Sequence, residues 1–295
     1  MDRVYLLAPA LILFATFAVA FVIYCGMCAL GRTPDVGAVK HNQIFGEFFA
    51  RYLLWLIHPL ERLLIGRVSP NAVTAVSLAM CGVTGAAVGL GHLPGAVWLY
   101  AFAGILDVVD GRLARIANQQ TRAGALFDSV SDRWGELFVF AGYAWFLHDS
   151  LWLLAVFGAV GASMMVSYTR ARAEGLGVEL SGGMMQRAER IVLVAGGTLV
   201  AAWYGADPDD AALAMNIVGV VMLICTVASG ATAIGRWIAA YRALAARQSA
   251  QLTAPSLDPL PPVPANANAP ASSPALAATS ARFGAAARKV AQVEN

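Results

Sequence analysis

The stretch ILDVVDGRLARIANQQTRAGALFDSVSDRWGE, residues 105–136, places four aspartates in a chain that is otherwise strongly apolar. Asp107 and Asp110 are spaced i, i+3, and Asp128 and Asp132 are spaced i, i+4. Either spacing puts the two carboxylates of a pair on one face of a helix, one turn apart. We therefore expect two adjacent antiparallel helices that bring the four carboxylates together at a similar depth.

The composition is that of a membrane protein. Of the 295 residues, 59% are hydrophobic and only 13% are charged, whereas about a quarter of the residues in a soluble domain are charged. Long apolar runs predict seven membrane-spanning helices. Their approximate ranges are 4–30, 70–91, 95–117, 124–147, 151–172, 188–205 and 212–238.

The chain divides into four regions, which together predict an all-α integral membrane protein. Residues 1–43 are expected to form an N-terminal transmembrane anchor and a linker. Residues 44–67 mix aromatic and charged side chains, which is typical of an amphipathic helix in the headgroup layer. Residues 68–244 then form a six-helix membrane domain, and the Ala/Pro/Ser-rich residues 245–295 a disordered tail.

The distribution of basic residues predicts the orientation. The turns at 91–95, 148–150 and 206–211 contain no Lys or Arg, whereas the opposite helix ends carry many arginines. Because basic loops stay on the cytoplasmic side, we expect a multi-pass protein of the cytoplasmic (inner) membrane. The aspartates and the tail then face the cytoplasm, and the N-terminus lies outside.

Four carboxylates packed together repel one another, and burying each of them is costly. The arrangement is tolerable only if cations compensate the charge. Carboxylate oxygens without sulfur or imidazole favour Mg²⁺ or Mn²⁺ over zinc, and four of them favour two ions. Magnesium held by acids usually faces substrate phosphates, and the nearby Arg112, Arg115 and Arg122 fit a phosphate-bearing ligand.

The aspartates form part of a longer pattern that resembles the signature of the CDP-alcohol phosphotransferases. The matching positions are Asp107-x-x-Asp110-Gly111-x-x-Ala114-Arg115, then eight residues, then Gly124-x-x-x-Asp128-x-x-x-Asp132. The resemblance extends over about residues 67–242 and implies the six-helix bundle of that family, here preceded by one extra transmembrane helix and the interfacial helix. It also implies a homodimer.

The resemblance implies an enzyme that cleaves CDP-diacylglycerol, transfers the phosphatidyl group to an acceptor hydroxyl and releases CMP. It makes Asp107, Asp110, Asp128 and Asp132 the ligands of two metal ions, with Asp132 also the general base. The residues implied for the nucleotide and diphosphate are Gly111, Ala114, Arg115 and Gly124, together with Asn71 and Thr74 of the stretch SPNAVT. That stretch is equally typical of a helix start, with Ser69 as N-cap and Pro70 in the first turn.

A group of arginines near the aspartates predicts an acceptor that carries its own phosphate. The stretches around residues 167–174 and 186–190 resemble the phosphatidylinositol-phosphate synthases of bacteria, which implies inositol phosphate as the acceptor. The implied phosphate-binding residues are Arg170, Arg190 and Arg236. Glycerol 3-phosphate, the acceptor of a phosphatidylglycerophosphate synthase, is the main alternative.

Two other classes of function fit the sequence less well. A divalent-cation transporter would also carry acids in its membrane helices, but it needs them near the middle of the bilayer or on both sides, and here they lie at one end only. No basic tract with interleaved aromatic residues indicates binding to nucleic acid.

Overall fold

The computed structural model describes residues 3–32, 46–180 and 182–253. Over these residues the protein consists of eight α-helices and one short 3₁₀ turn, and no strand occurs in this part of the chain. The helices are α1 (Arg3–Ala29), α2 (Gly46–Leu64), α3 (Pro70–Gly89), α4 (Leu93–Ile116), α5 (Arg122–Phe146), α6 (Leu153–Gly175), α7 (Arg187–Tyr204) and α8 (Ala211–Thr253). The 3₁₀ turn is Pro208–Asp210.

The helices coincide with the predicted elements except at one end. Seven of them fall on the seven predicted spans, and α2 falls on the predicted interfacial helix. The exception is α8, which continues to Thr253 although the predicted membrane domain stops at residue 244. The added segment is rich in Ala, Arg, Leu and Gln, which favour a helix without an apolar face. Most of the predicted linker and the rest of the predicted tail, from residue 254, lie outside the described residues.

Four helices of the described chain are long and apolar enough to cross a membrane: α3, α4, α6 and α8. Helix α1 contains a shorter apolar stretch, Ala15–Ala29. Helices α5 and α7 carry more charge, because α5 holds two of the aspartates and α7 begins with Arg187, Glu189 and Arg190. The charges that interrupt these apolar runs are those of the candidate site described below.

Helix α3 lies at the centre of the bundle and packs most extensively against α4 and α5. The α3–α5 crossing is exceptionally close, because it is built from small residues. A Cβ atom on Gly85 would collide with the carbonyl oxygen of Phe138, and one on Gly142 with the carbonyl oxygen of Gly85. Small residues allow such backbone contact between membrane helices. This crossing sets the position of α5 relative to α3.

Polar contacts inside the apolar core join α7 to α5 and α8 to α6. The hydroxyls of Tyr143 on α5 and Thr198 on α7 lie 2.5 Å apart and are buried. Thr226 on α8 donates to the carbonyl oxygen of Ala155 on α6 at 2.8 Å, beside Gly158. The lack of a side chain at Gly158 makes room for Thr226, so this close contact lies within one chain.

Helices α1 and α2 meet through aromatic side chains. Tyr24 and Tyr52 are almost fully buried, and Phe21 packs edge-to-face on Tyr52 with a centroid distance of 5.2 Å. The Tyr52 hydroxyl donates to the carbonyl oxygen of Phe17 at 2.6 Å. The interfacial helix is thus attached to the extra N-terminal helix, and it also packs against α4.

The close α3–α5 crossing at Gly85 and Gly142 can be tested by substitution. Gly142→Ala forces a methyl group against the backbone of α3, and overpacking of this kind costs roughly 1–3 kcal/mol. We expect a lower unfolding temperature in detergent, measured by circular dichroism. Gly161→Ala is the matched control, because Gly161 is also helical but has no atom within 4 Å of its Cβ position. Equal unfolding temperatures for the two variants would contradict the described crossing.

Candidate active site

Three of the four aspartates form a compact cluster. Asp107 and Asp110 lie near the end of α4, and Asp128 lies in the second turn of α5. One carboxylate oxygen from each falls within 4.8 Å of the others. Asp110 is buried, whereas Asp107 and Asp128 are partly exposed. The helix spacing that the sequence predicted therefore brings these acids together from two helices.

Thr74 on α3 forms a hydrogen bond to one aspartate of the cluster. Its hydroxyl lies 2.6 Å from Oδ2 of Asp110 and donates to that carboxylate. Helix α3 begins as expected, because Ser69 accepts a hydrogen bond from the amide of Ala72 at 3.3 Å. The Thr74 hydroxyl thus orients the carboxylate of Asp110, and the predicted contact of Thr74 with the nucleotide stays a prediction.

Asp132 lies one turn beyond Asp128 and is held by an arginine. Nη1 of Arg187, at the start of α7, is 2.6 Å from Oδ1 of Asp132 and also contacts Oδ1 of Asp107. These are ion pairs rather than aligned hydrogen bonds. Arg187 thereby connects α7 to acids on both α4 and α5. The sequence placed Arg187 among the nearby arginines but not among the site residues.

The residues predicted to contact the nucleotide line one cavity of about 400 Å³ beside the cluster. They are Asn71, Thr74, Gly111, Ala114, Arg115 and Gly124, and the same cavity reaches Asp110 and Asp128. The first turns of α3 and α5 both open onto it. At Gly124 a Cβ atom would lie 3.4 Å from Oδ1 of Asn71, so the absence of a side chain keeps the two helix starts close.

The residues predicted to bind the acceptor phosphate line a second cavity, of about 160 Å³, which reaches Asp132. Arg170, Arg190 and Arg236 all contribute to it. In total five arginines line this cavity, with Asp132 and Glu136 as the two acids in the lining. Two of these arginines, Arg170 and Arg187, also pair with Glu174 and Asp107 outside the lining.

Each of the three predicted arginines also has protein partners. Arg190 is buried and pairs with Glu136, with its Nε 3.1 Å from Oε1. Arg236 donates to the carbonyl oxygens of Gly182, at 2.7 Å, and Val166, at 3.0 Å. Arg170 is half exposed and pairs with Glu174 at 2.8 Å. Two of these cations are thus held in fixed positions, and the third is on the surface.

Glu136 is a second site residue that the sequence analysis missed. It follows Asp132 at i+4, the spacing that already joins Asp128 to Asp132. The three acids therefore share one face of α5. Continuing that row by one more turn would have identified Glu136 from sequence alone.

Comparison with known proteins identifies the family. A family model described as CDP-alcohol phosphatidyltransferase matches residues 67–231, more than half of the 295-residue chain. The chain belongs to the CDP-alcohol phosphatidyltransferase family. It is therefore a phosphatidyltransferase, as the resemblance of the aspartate pattern implied, and not a divalent-cation transporter. The matched residues contain all four aspartates.

Two relatives within this group are named for inositol-containing products. The phosphatidylinositol phosphate synthase of Mycobacterium marinum is 35% identical over 179 residues, covering 57% of this chain and 74% of that protein. The archaetidylinositol phosphate synthase of Methanothermobacter thermautotrophicus is 39% identical over 101 residues, covering 34% of this chain and 51% of the relative.

Solved structures confirm the predicted fold. The crystal structure of Mycobacterium tuberculosis phosphatidylinositol phosphate synthase with CDP-DAG bound matches with a TM-score of 0.54 and 27% identity, covering 63% of this chain and 94% of that chain. The same synthase in complex with manganese and citrate matches with a TM-score of 0.54 and 28% identity, covering 62% and 88% of the respective chains.

The aspartate cluster has the donors that a divalent metal requires. It offers only carboxylate oxygens, which are hard ligands suited to Mg²⁺ or Mn²⁺. The three oxygens, within 4.8 Å of one another, converge from two helices, α4 and α5, that both pack on α3. Asp107, Asp110 and Asp128 are accordingly the residues that would hold the metal.

We predict that Asp110→Asn weakens Mn²⁺ binding by at least tenfold, because an amide removes the charge of the most buried acid in the cluster. Free Mn²⁺ measured by electron paramagnetic resonance checks this without an activity assay. Asp149→Asn is the control, since Asp149 lies in an exposed turn far along the chain from the cluster. Unchanged Mn²⁺ binding by Asp110→Asn would remove Asp110 from the site.

Proposed function

We propose that the protein transfers the phosphatidyl group of CDP-diacylglycerol to a hydroxyl of a phosphorylated polyol, with inositol phosphate as the acceptor and CMP as the second product. The observation that carries this proposal is that two different cavities reach the aspartates, one at Asp110 and Asp128 and the other at Asp132. One is lined by the motif residues and two helix starts, and the other by five arginines. Asp132 lines the second cavity, close to the metal-binding acids.

The larger cavity suits the cytidine diphosphate part of the donor. The N-termini of α3 and α5 open onto it, and unpaired amides and the helix dipole at such ends favour phosphate. Arg115 lines the same cavity and can pair with a phosphate oxygen. The apolar helix faces around it are compatible with the acyl chains remaining in the bilayer.

The chemical step requires a proton acceptor next to the polyol hydroxyl. We assign this role to Asp132, which takes the hydroxyl proton while the hydroxyl oxygen bonds to the phosphorus of the phosphatidyl group. The bond from that phosphorus to the bridging oxygen breaks, and CMP leaves with this oxygen. We assign two divalent ions to the four aspartates; when bound, they neutralise the diphosphate and polarise the attacked phosphorus.

The charge of the smaller cavity supports a phosphorylated acceptor. Five arginines line it, and the acids that pair with them are Asp107, Asp132, Glu136 and Glu174, so positive charge remains in excess. The guanidinium groups can pair with the oxygens of a phosphate. Arg190 is held by Glu136, and Arg236 by backbone carbonyls, so both are oriented before the acceptor arrives. The names of the relatives support inositol phosphate over glycerol 3-phosphate, which also carries a phosphate and a hydroxyl.

The proposal includes the membrane that holds the protein and the side on which the active site lies. The arginine-rich helix ends all lie at the same end of the bundle as the aspartates, and the turns 90–92, 147–152 and 205–210 join the opposite ends. By the positive-inside rule the active site then faces the cytoplasm from the cytoplasmic membrane. A homodimer and the division into anchor, interfacial helix, catalytic domain and tail stay predictions of the sequence.

The acceptor is tested by measuring CMP release from purified protein with CDP-diacylglycerol and Mn²⁺. We expect release with inositol 1-phosphate and none above background with free inositol or serine, because neither of these carries the phosphate that the arginines require. Release with glycerol 3-phosphate instead would identify a phosphatidylglycerophosphate synthase. Release with free inositol or serine but with neither phosphate would refute the role of the arginine-lined cavity.

The proposed base is tested with Asp132→Asn. We expect kcat to fall by about 10²–10⁴-fold, the contribution typical of a positioned proton acceptor. Mn²⁺ binding should be largely kept, because Asp107, Asp110 and Asp128 form the compact cluster without Asp132. Substantial turnover by this variant would show that another group removes the proton.

A further inference from the structure

A buried ion pair joins the interfacial helix to the catalytic motif. Glu61 on α2 is completely buried, and both of its carboxylate oxygens face the guanidinium of Arg112 on α4. Nε of Arg112 contacts Oε1, and Nη2 donates to Oε2 at 3.2 Å. The side chain of Arg112 is only 12% exposed. His58, one turn earlier on α2, lies 3.3 Å from Oε2.

Arg112 lies on the side of α4 that faces away from the metal ligands. At about 100° per residue, Asp107, Asp110 and Gly111 fall on one side of the helix and Arg112 on the other. The same rear side carries Val109 and Leu113, which form a buried apolar cluster with Ile57 of α2. Helix α2 therefore lies behind the turn of α4 that carries the catalytic motif.

Apolar packing alone explains why α2 stays attached to α4, but it does not explain why Glu61 and Arg112 are buried there as a charged pair. A buried ion pair costs desolvation, and well-packed apolar residues in its place are often equally stable or more stable. A two-point pairing between guanidinium and carboxylate has, however, a defined direction and distance. It resists sliding and rotation of α4 against α2, which an apolar contact tolerates more readily.

The position of α4 matters because the candidate metal site is shared between two helices. Asp107 and Asp110 come from α4, and Asp128 comes from α5, which is fixed separately by its crossing with α3. A small rotation of α4 would change the distances among the three carboxylates. Misplacement of reacting groups by about 1 Å can cost on the order of 10²-fold in rate.

We propose that Glu61 is a positioning residue for the transfer reaction. Through its ion pair with Arg112 it fixes the turn of α4 that carries Asp110, Gly111 and Arg115. In this way it sets the separation between the acids of α4 and those of α5. The proposal rests on the proposed metal-dependent function. It adds a residue of α2, a helix that precedes residues 67–231, which the family model matches.

The test is Glu61→Gln, which keeps the shape of the side chain but removes its charge. We expect kcat to fall about tenfold or more and the Mn²⁺ dissociation constant to rise several-fold, because α4 loses its fixed position. KM for the acceptor should change less than about twofold, since the acceptor cavity is lined by α5 to α8. Mn²⁺ binding is measured by electron paramagnetic resonance, independently of turnover.

The matched control is Glu47→Gln on the same helix. Glu47 pairs with Arg51 at 2.7 Å, but both side chains are about half exposed, so its loss should change neither kcat nor Mn²⁺ affinity. A kcat and a Mn²⁺ dissociation constant equal to those of the wild type in Glu61→Gln would overturn the proposal. If the wild-type protein itself neither bound Mn²⁺ nor released CMP, the proposed function would fail instead.

A double variant separates positioning from stability. Glu61→Met with Arg112→Leu removes both buried charges and keeps an apolar contact, so we expect it to unfold at a temperature close to that of the wild type. If the pair positions α4, this variant keeps the defects in kcat and Mn²⁺ affinity. Recovery of wild-type kinetics would show that the pair only stabilises the fold. Failure of both the single and the double variant to fold would also assign the pair to stability.

Discussion

The structure depends on bringing like charges together inside a helical bundle. Asp107, Asp110 and Asp128 come within 4.8 Å of one another, an arrangement that is unfavourable unless positive charge compensates it. Arg187 supplies part of that charge from α7, through its contacts with Asp107 and Asp132. The donor chemistry of the cluster suits a divalent ion for the rest. Helices α4, α5 and α7 each contribute a charged side chain to this arrangement.

The packing around the cluster holds its two helices by different means. Helix α5 is positioned by direct backbone contact with α3 at Gly85 and Gly142. Helix α4 is backed by α2, through an apolar cluster and the pair between Glu61 and Arg112. A shared metal site needs both helices to be rigid, because its ligands are contributed from each side. The packing of the bundle core thus positions the metal-binding acids, although the core residues do not contact the substrate.

The proposed function divides recognition of the two substrates between the two cavities. Helix starts and a glycine-rich motif line the cavity assigned to the nucleotide, where backbone amides are accessible. Arginines line the cavity assigned to the acceptor, and the buried ones are already paired with Glu136 or with carbonyl oxygens. An incoming phosphate therefore meets cations whose positions are set by the protein. Asp132, the proposed proton acceptor, lines the arginine-lined cavity and is linked to Asp107 through Arg187.

The sequence by itself determined the helices, the aspartate cluster and the reaction class. Apolar runs fixed the spans, and the i, i+3 and i, i+4 spacings placed the acids on two helix faces. These features are local, so they can be read from neighbouring residues. The end of α8 was missed because helix propensity continues there after the apolar pattern stops.

Only the tertiary structure decided which charges pair across helices. Glu61 belongs to a segment whose charges the sequence assigned to the headgroup layer, yet it is buried against Arg112, 51 residues later. Arg187 was one arginine among several, and its place between Asp107 and Asp132 depends on how α7 packs on α4. Such long-range partners carry no local periodicity, because they are set by the three-dimensional packing of distant helices.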